Sequence, residues 1–138
     1  MKTHYQAIVD FFSKMDIEML DTFLDKEQYQ DMPKRKFLTL LSNAFEIMKK
    51  SGDTQLETYS GACNGCAENK GCTGFSFVGN KTGNYLNMVV KSENDRVVDI
   101  FECSSFKSEM PEKRGRKVWI DDMFGNNETL ILDNDKNA

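Results

Sequence analysis

The sequence lacks any long hydrophobic run, and it also lacks the features of an export signal. No stretch of about 18 apolar residues occurs, so we expect no transmembrane segment and no membrane partner. Residues 1–10 contain neither a basic region followed by an apolar one nor a small-residue cleavage site. We therefore expect a cytoplasmic protein whose cysteines stay reduced.

Basic charge and histidine are also scarce. Lysine and arginine together number 18 against 22 aspartate and glutamate residues, for a net charge of -4. Nucleic-acid-binding domains usually carry a basic excess, so nucleic acid is not an expected partner. The one histidine, His4, lies close to the N-terminus, and we assign it no role. Ser-His-Asp, phosphate-loop and glycine-rich dinucleotide motifs are all missing from the sequence.

A length of 138 residues suits one domain, with a core over about 3–103 and a C-terminal extension over 104–138. The extension holds a basic cluster, which we interpret as a solvated loop. This cluster consists of Lys113, Arg114, Arg116 and Lys117. Near the end of the chain, Thr129–Leu132 is apolar enough to add a strand or to dock on the core.

The first part of the chain predicts three helices. Apolar residues recur at helical spacing over 3–15, and Asp16 suits the N-cap of a second, short helix. The polar segment 27–32 is turn-like, with room for a very short strand. Pro33 then suits the first turn of a third helix. The apolar stripe of that helix consists of Phe37, Leu41, Ala44 and Met48.

After Gly52 the period changes from helical to alternating. Strands are predicted over 54–62, 73–78, 85–91 and 96–103. In the last of these, Val98 and Ile100 are expected on one face, with Val97 on the other. The short turns imply antiparallel neighbours. Helices followed by strands predict an α+β fold, with three N-terminal helices packed on an antiparallel sheet of about four strands.

Four cysteines predict a metal site. Cys63 and Cys66 have the spacing of a zinc knuckle, and Asn64-Gly65 between them supplies a tight turn. Cys72 and Cys103 complete a set of four. Four thiolates leave no position for water, so we predict a structural zinc, ahead of an iron–sulfur cluster.

The strand pattern supports convergence of the four sulfurs. Cys63 ends the first strand, Cys72 precedes the second, and Cys103 ends the last. We expect the last strand to run parallel to the first, which would bring all three strand ends to one end of the sheet. Three alternatives stay open: two disulfides, a Cys63–Cys66 redox pair, and a Cys103 that is merely a buried apolar residue.

Residues 4–62 carry a family resemblance. The relevant stretches are Phe11–Leu20, Leu24-Asp25 and Tyr29-Gln30-Asp31-Met32-Pro33. They resemble the opening of the nuclear-transport-factor-like, or ketosteroid-isomerase-like, superfamily of cystatin-like α+β proteins. The resemblance implies a curved sheet that forms a cone with the three helices around a pocket. The cysteine set lies outside the usual pattern of that superfamily.

A ligand site is therefore expected inside the cone, between the third helix and the sheet. Its candidate lining is Tyr29, Asp31, Phe37 and Phe77. Asp31 lies where the isomerases have their general base; the alternative is that Asp31 caps the third helix. The position of the isomerases' oxyanion tyrosine falls at Ile8, so steroid isomerisation is not expected.

Three functions fit these observations. The leading hypothesis is a small non-catalytic ligand-binding or interaction module with a structural zinc. Its partner would be a small molecule or a protein, including a second copy of the chain bound through the sheet. The second hypothesis is a cone-fold enzyme of isomerase or dehydratase type that uses a pocket carboxylate, Asp31 or an inward-pointing Asp99. The third is a thiol-based redox or metal sensor.

Overall fold

The computed structural model describes residues 3–62, 72–102, 107–108 and 115–120. Its elements follow the order of helices first and sheet afterwards that the sequence predicts. Among the described residues, no helix is both long enough and apolar enough to cross a membrane.

Three helices form the first layer. Helix α1 spans His4–Ser13 and begins with a capping box between Thr3 and Gln6. Helix α2 spans Ile17–Phe23, and the side chain of Asp16 accepts a hydrogen bond from the Met19 amide at 3.2 Å. The predicted N-cap at Asp16 is therefore confirmed. Helix α3 spans Lys34–Lys50 and buries its predicted stripe.

A small hairpin separates α2 from α3. Its strands are β1 (Gln28–Tyr29) and β2 (Met32–Pro33). Gln30 and Asp31 form the turn between them, with φ angles of 54° and 57°. The prediction that Asp31 caps α3 is wrong, because the N-cap position belongs to Pro33 and no side chain caps this helix.

The remaining strands are β3 (Leu56–Ala62), β4 (Cys72–Gly79), β5 (Tyr85–Glu93), β6 (Arg96–Glu102) and the two-residue β7 (Lys107–Ser108). They form one antiparallel sheet in the order β6-β5-β4-β3-β7. The predicted α+β fold is thus confirmed: three helices precede four long antiparallel strands, with β7 as a short addition.

The sheet must curve, because only a short stretch of chain connects its two edge strands, β6 and β7. Glu102 and Lys107 lie in the two edge strands, and five residues of chain reach at most about 18 Å. In a flat sheet, four strand spacings amount to about 19 Å. Glu102 is also level with Ser60, whereas Lys107 pairs with Ala62, which adds an offset along the strands. Five residues span this separation only if the two edges curl towards each other.

Strand β6 contains an irregularity that the sequence pattern did not reveal. Ser92 pairs with Val97 and Lys91 pairs with Asp99, so Val98 has no partner of its own. This extra residue shifts the alternation, and Val97 and Ile100 both lie in the core. The prediction that Val98 and Ile100 share a face is therefore wrong.

The core lies between the helices and one face of the sheet. Phe12 of α1 stacks on Phe77 of β4 at 4.9 Å between ring centroids and meets the edge of Phe45. Val118 and Ile120 are also buried in this cluster. Part of the predicted C-terminal extension therefore belongs to the core.

Candidate functional site

The predicted metal centre begins at the end of β3 and the start of β4. Gly61 pairs with Gly74, so Ala62 and Cys72 lie at the same end of the sheet, as predicted for these two strands. Cys72 is partly exposed and has a free thiol. The other three predicted ligands, Cys63, Cys66 and Cys103, lie outside the described residues.

The expected direction of the last strand is wrong. Each of β3, β4, β5 and β6 is antiparallel to the next, so β6 runs opposite to β3 rather than parallel to it. Lys91 pairs with both Cys72 and Asp99, which places Glu102 three residues, or about 10 Å along the strand, from the level of Cys72. The prediction that the end of β6 lies level with the end of β3 and the start of β4 is therefore wrong.

The chain nevertheless returns to that end immediately after β6. Lys107, five residues after Glu102, pairs with Ala62, the last residue of β3. Within 3–62, 72–102, 107–108 and 115–120, no three histidine, cysteine or carboxylate side chains form a metal-binding group. Because three of the four cysteines lie elsewhere, the four-cysteine site stays a prediction.

The structure brings three of the four predicted pocket residues into the packed core. The rings of Tyr29 and Phe37 lie 5.5 Å apart, and Phe77 packs on Phe12 and is fully buried. The Tyr29 hydroxyl accepts a hydrogen bond from the Lys26 amide at 2.9 Å, and burial raises the pKa of Tyr29.

Asp31 does not join the other three residues. It lies exposed in the turn between β1 and β2. Asp99, the second candidate acid, has a structural role, because its Oδ1 accepts hydrogen bonds from the amides of Gln30 and Ile100 at 3.1 and 2.8 Å. A carboxylate held in this way positions the hairpin against β6.

His4 has a role that the sequence did not suggest. The Val97 amide donates to Nδ1 at 3.0 Å, so Nδ1 carries no proton and Nε2 donates to the Phe23 carbonyl at 2.6 Å. The imidazole therefore joins α1, the end of α2 and β6. A local sequence pattern could not predict these contacts, because Phe23 and Val97 lie 19 and 93 positions from His4.

Gln30, Glu102 and Ile120 form a second connection. The Gln30 side chain donates to Glu102 Oε1 at 3.1 Å and accepts from the Glu102 amide at 2.9 Å. The other oxygen of Glu102 accepts from the Ile120 amide at 2.8 Å. One carboxylate thus links the hairpin, β6 and the segment 115–120.

A groove on the outer surface of α2 and α3 was not predicted. It encloses ≈ 530 Å³ and is lined by Asp21, Lys34, Arg35, Leu38, Thr39, Ser42 and Asn43. The Lys34 ammonium donates to the carbonyls of Asp21 and Leu24 and forms an ion pair with the Asp21 carboxylate at 3.1 Å. Lys34 thus fastens α3 to α2 at one end of the groove.

Comparison of the chain with protein-family models, curated proteins and solved structures found no match. The resemblance to the nuclear-transport-factor-like superfamily therefore rests on the residues quoted for it.

Proposed function

We propose that this protein is a small non-catalytic binding or interaction module in which a structural zinc, held by Cys63, Cys66, Cys72 and Cys103, closes one end of the sheet. The observation that carries the proposal is the pairing at that end. Ala62 is level with the start of β4 and pairs with Lys107. In the sequence, Cys63 directly follows Ala62, Cys72 is the first residue of β4, and Cys103 comes four residues before Lys107.

The chemistry of the four residues supports zinc. Thiolates at Cys63-x2-Cys66 spacing are typical ligands of structural zinc, and four of them complete its tetrahedral sphere. Cys72 contributes a reduced, partly exposed thiol at the beginning of β4. Such a site requires a reducing compartment, and the proposal therefore includes a cytoplasmic location.

The surroundings of the candidate acids support binding over catalysis. Asp31 is exposed in a turn, and Asp99 is engaged by two backbone amides. The aromatic side chains of the predicted pocket fill the interior and pack on one another. A small molecule or a protein would instead meet the surface, where the groove beside α2 and α3 offers room.

The test is the native mass of the full chain, purified under reducing conditions, before and after treatment with a chelator. We expect one zinc per chain, lost on chelation, and greatly reduced zinc in a Cys103→Ser variant. Ser60→Ala is the matched control, since Ser60 is exposed on β3 close to the same end. Absence of metal from the wild-type protein, or full zinc content in Cys103→Ser, would rule the site out.

A further inference from the structure

The groove on the outer surface of α2 and α3 is lined almost entirely by polar side chains. Leu38 is the one apolar residue among the seven described residues that line it. The groove encloses ≈ 530 Å³, and ligand pockets commonly enclose about 300–1,000 Å³. Pockets for apolar ligands are lined mainly by hydrophobic and aromatic side chains. The lining of this groove therefore favours a polar ligand.

The charges in the groove leave one cation without a partner among the described residues. The charged lining residues are Asp21, Lys34 and Arg35. Asp21 and Lys34 form an ion pair, and the Lys34 ammonium also donates to two carbonyl oxygens. Arg35 is exposed, and its side chain has no ion pair or hydrogen bond within the part of the chain that the structure describes. With two cations and one anion, the lining is positive on a protein of net charge -4. The groove therefore favours an anionic group.

The polar residues that α3 contributes to the groove lie along one face of the helix. Arg35, Thr39, Ser42 and Asn43 follow the spacing i, i+4, i+7 and i+8, which places them on the same side. The Thr39 hydroxyl donates to the Arg35 carbonyl at 2.9 Å. Within 3–62, 72–102, 107–108 and 115–120, the side chains of Ser42 and Asn43 have no hydrogen-bond partner. At a rise of about 1.5 Å per residue, Arg35 and Asn43 lie about 12 Å apart along the helix.

Arg35 and Asn43 suit two different groups of one ligand. A guanidinium binds a carboxylate through two parallel hydrogen bonds. A carboxamide both donates and accepts, so the Asn43 side chain can pair with the N–H and C=O groups of a peptide backbone. An extended chain covers about 3.3–3.6 Å per residue, so about four residues reach from Arg35 to Asn43. A short acidic peptide segment meets both requirements.

We propose that the groove binds a short extended segment of a partner protein, with an acidic side chain on Arg35 and the backbone of a later or earlier residue on Asn43. Leu38 lies between these positions in the sequence and adds an apolar contact. The assignment rests on the interaction module of the proposed function, and it does not depend on the zinc.

The experiment titrates the full chain, purified under reducing conditions, with the blocked peptide acetyl-Ala-Glu-Ala-Ala-Ala-amide and follows it by nuclear magnetic resonance. We expect saturable shifts at the Arg35 side chain and at the Asn43 side-chain amide, with an affinity that falls as salt is added. Arg35→Gln should weaken binding about tenfold, because the carboxylate loses its charged donors. Asn43→Ala should also weaken it. Lys49→Gln removes the same charge from an exposed position of α3 outside the groove and should leave the affinity unchanged.

Two further probes separate a peptide from other anions. The glutamine analogue of the peptide should bind about tenfold more weakly, because it lacks the carboxylate. Glutarate has two carboxylates and no peptide bond, so it should shift Arg35 but not the Asn43 side-chain amide. Equal affinities for glutarate and the peptide would make the ligand a small carboxylate, and the assignment would be wrong.

Three other results would overturn the assignment. They are the absence of shifts at Arg35 and Asn43 in the wild-type chain, equal weakening by Lys49→Gln and Arg35→Gln, and full binding by Asn43→Ala. The native mass of Arg35→Gln should show the same metal content as the wild-type protein. A chain that holds zinc but does not bind the peptide therefore refutes the groove alone, and one that binds the peptide without zinc refutes the metal site alone.

Discussion

At the scale of single residues, the buried carboxylate of Asp53 holds the turn after β4 in place through several hydrogen bonds. Its exposed fraction is 3%, and its Oδ1 accepts hydrogen bonds from the amides of Lys81 and Thr82, both at 2.9 Å. Its Oδ2 accepts from the Thr82 hydroxyl at 2.8 Å. The turn after β4 was predictable from its composition, but the carboxylate that holds it comes from a loop 28 positions earlier.

Replacing Asp53 with alanine should lower the free energy of unfolding by about 2–3 kcal/mol. The variant leaves the Lys81 and Thr82 amides without their acceptor, and the loss of a charged acceptor costs more than that of a neutral one. Urea denaturation provides the measurement. Glu46→Ala, on the exposed side of α3, should change stability by no more than about 0.5 kcal/mol. Equal effects of the two substitutions would contradict the role of Asp53.

Gly79 should be coupled to Asp53. A Cβ atom at Gly79 would lie 2.0 Å from Oδ2 of Asp53, and the carboxylate that it would displace accepts three hydrogen bonds. Gly79→Ala should therefore destabilise the wild-type chain strongly and the Asp53→Ala chain much less. A double-mutant cycle measures this coupling, and additive effects would show that the two positions are independent.

At the scale of elements, the sequence predicted what depends on local periodicity and missed what depends on distant pairing. The strand from Tyr85 was predictable because Leu86, Met88 and Val90 alternate with the outer-face residues. The unpaired Val98 in β6 was not, since one extra residue leaves no trace in a short alternating run. The contact of Lys117 with Tyr85 also escaped prediction, because it joins residues far apart in sequence.

His4 provides a test of how α1, α2 and β6 are held together. In a His4→Ala variant, the Val97 amide loses its acceptor and the Phe23 carbonyl loses its donor. We expect a loss of about 1–3 kcal/mol in the free energy of unfolding, since both bonds are partly buried. Hydrogen exchange should show the Val97 amide becoming less protected. Lys50→Ala at the exposed end of α3 is the control and should leave the Val97 amide unchanged.

The β1–β2 hairpin contains local strain that a substitution should relieve. Asp31 has a φ of 57° and is exposed, and glycine adopts this conformation at lower cost than other residues. The left-handed conformation costs a residue other than glycine about 1–2 kcal/mol. The extra backbone entropy that glycine loses on folding offsets about 0.5–1 kcal/mol of this. Asp31→Gly should therefore raise the free energy of unfolding by about 0.5–1 kcal/mol. Glu46→Gly, in a helix interior, should lower it by about 1 kcal/mol. A loss of stability in Asp31→Gly would indicate that the aspartate side chain makes a contribution of its own.

At the scale of the whole molecule, a short stretch of chain connects the two edge strands of the sheet, β6 and β7. The sheet curls so that Lys107 reaches Ala62 five residues after Glu102, and Glu102 in turn holds Gln30 and Ile120. Packed aromatic side chains fill the space between the helices and the sheet. The proposed zinc site would secure the end at which β3, β4 and β7 meet.

Zinc should therefore stabilise this end of the molecule more than the rest. A metal that binds the native chain and not the unfolded one adds about 2.7 kcal/mol when its free concentration is 100 times its dissociation constant. We expect a chelator to lower the melting temperature of the wild-type protein and of Ser60→Ala, but to have no effect on Cys103→Ser, which should already melt at a lower temperature. Hydrogen exchange after chelation should accelerate first at Gly61 and Gly74, the last pair between β3 and β4. The pairing of Met88 with Glu102 lies further from the site and should remain protected. Zinc removal that leaves the melting temperature and both sets of amides unchanged would show that the metal has no structural role, even if the four cysteines bind it.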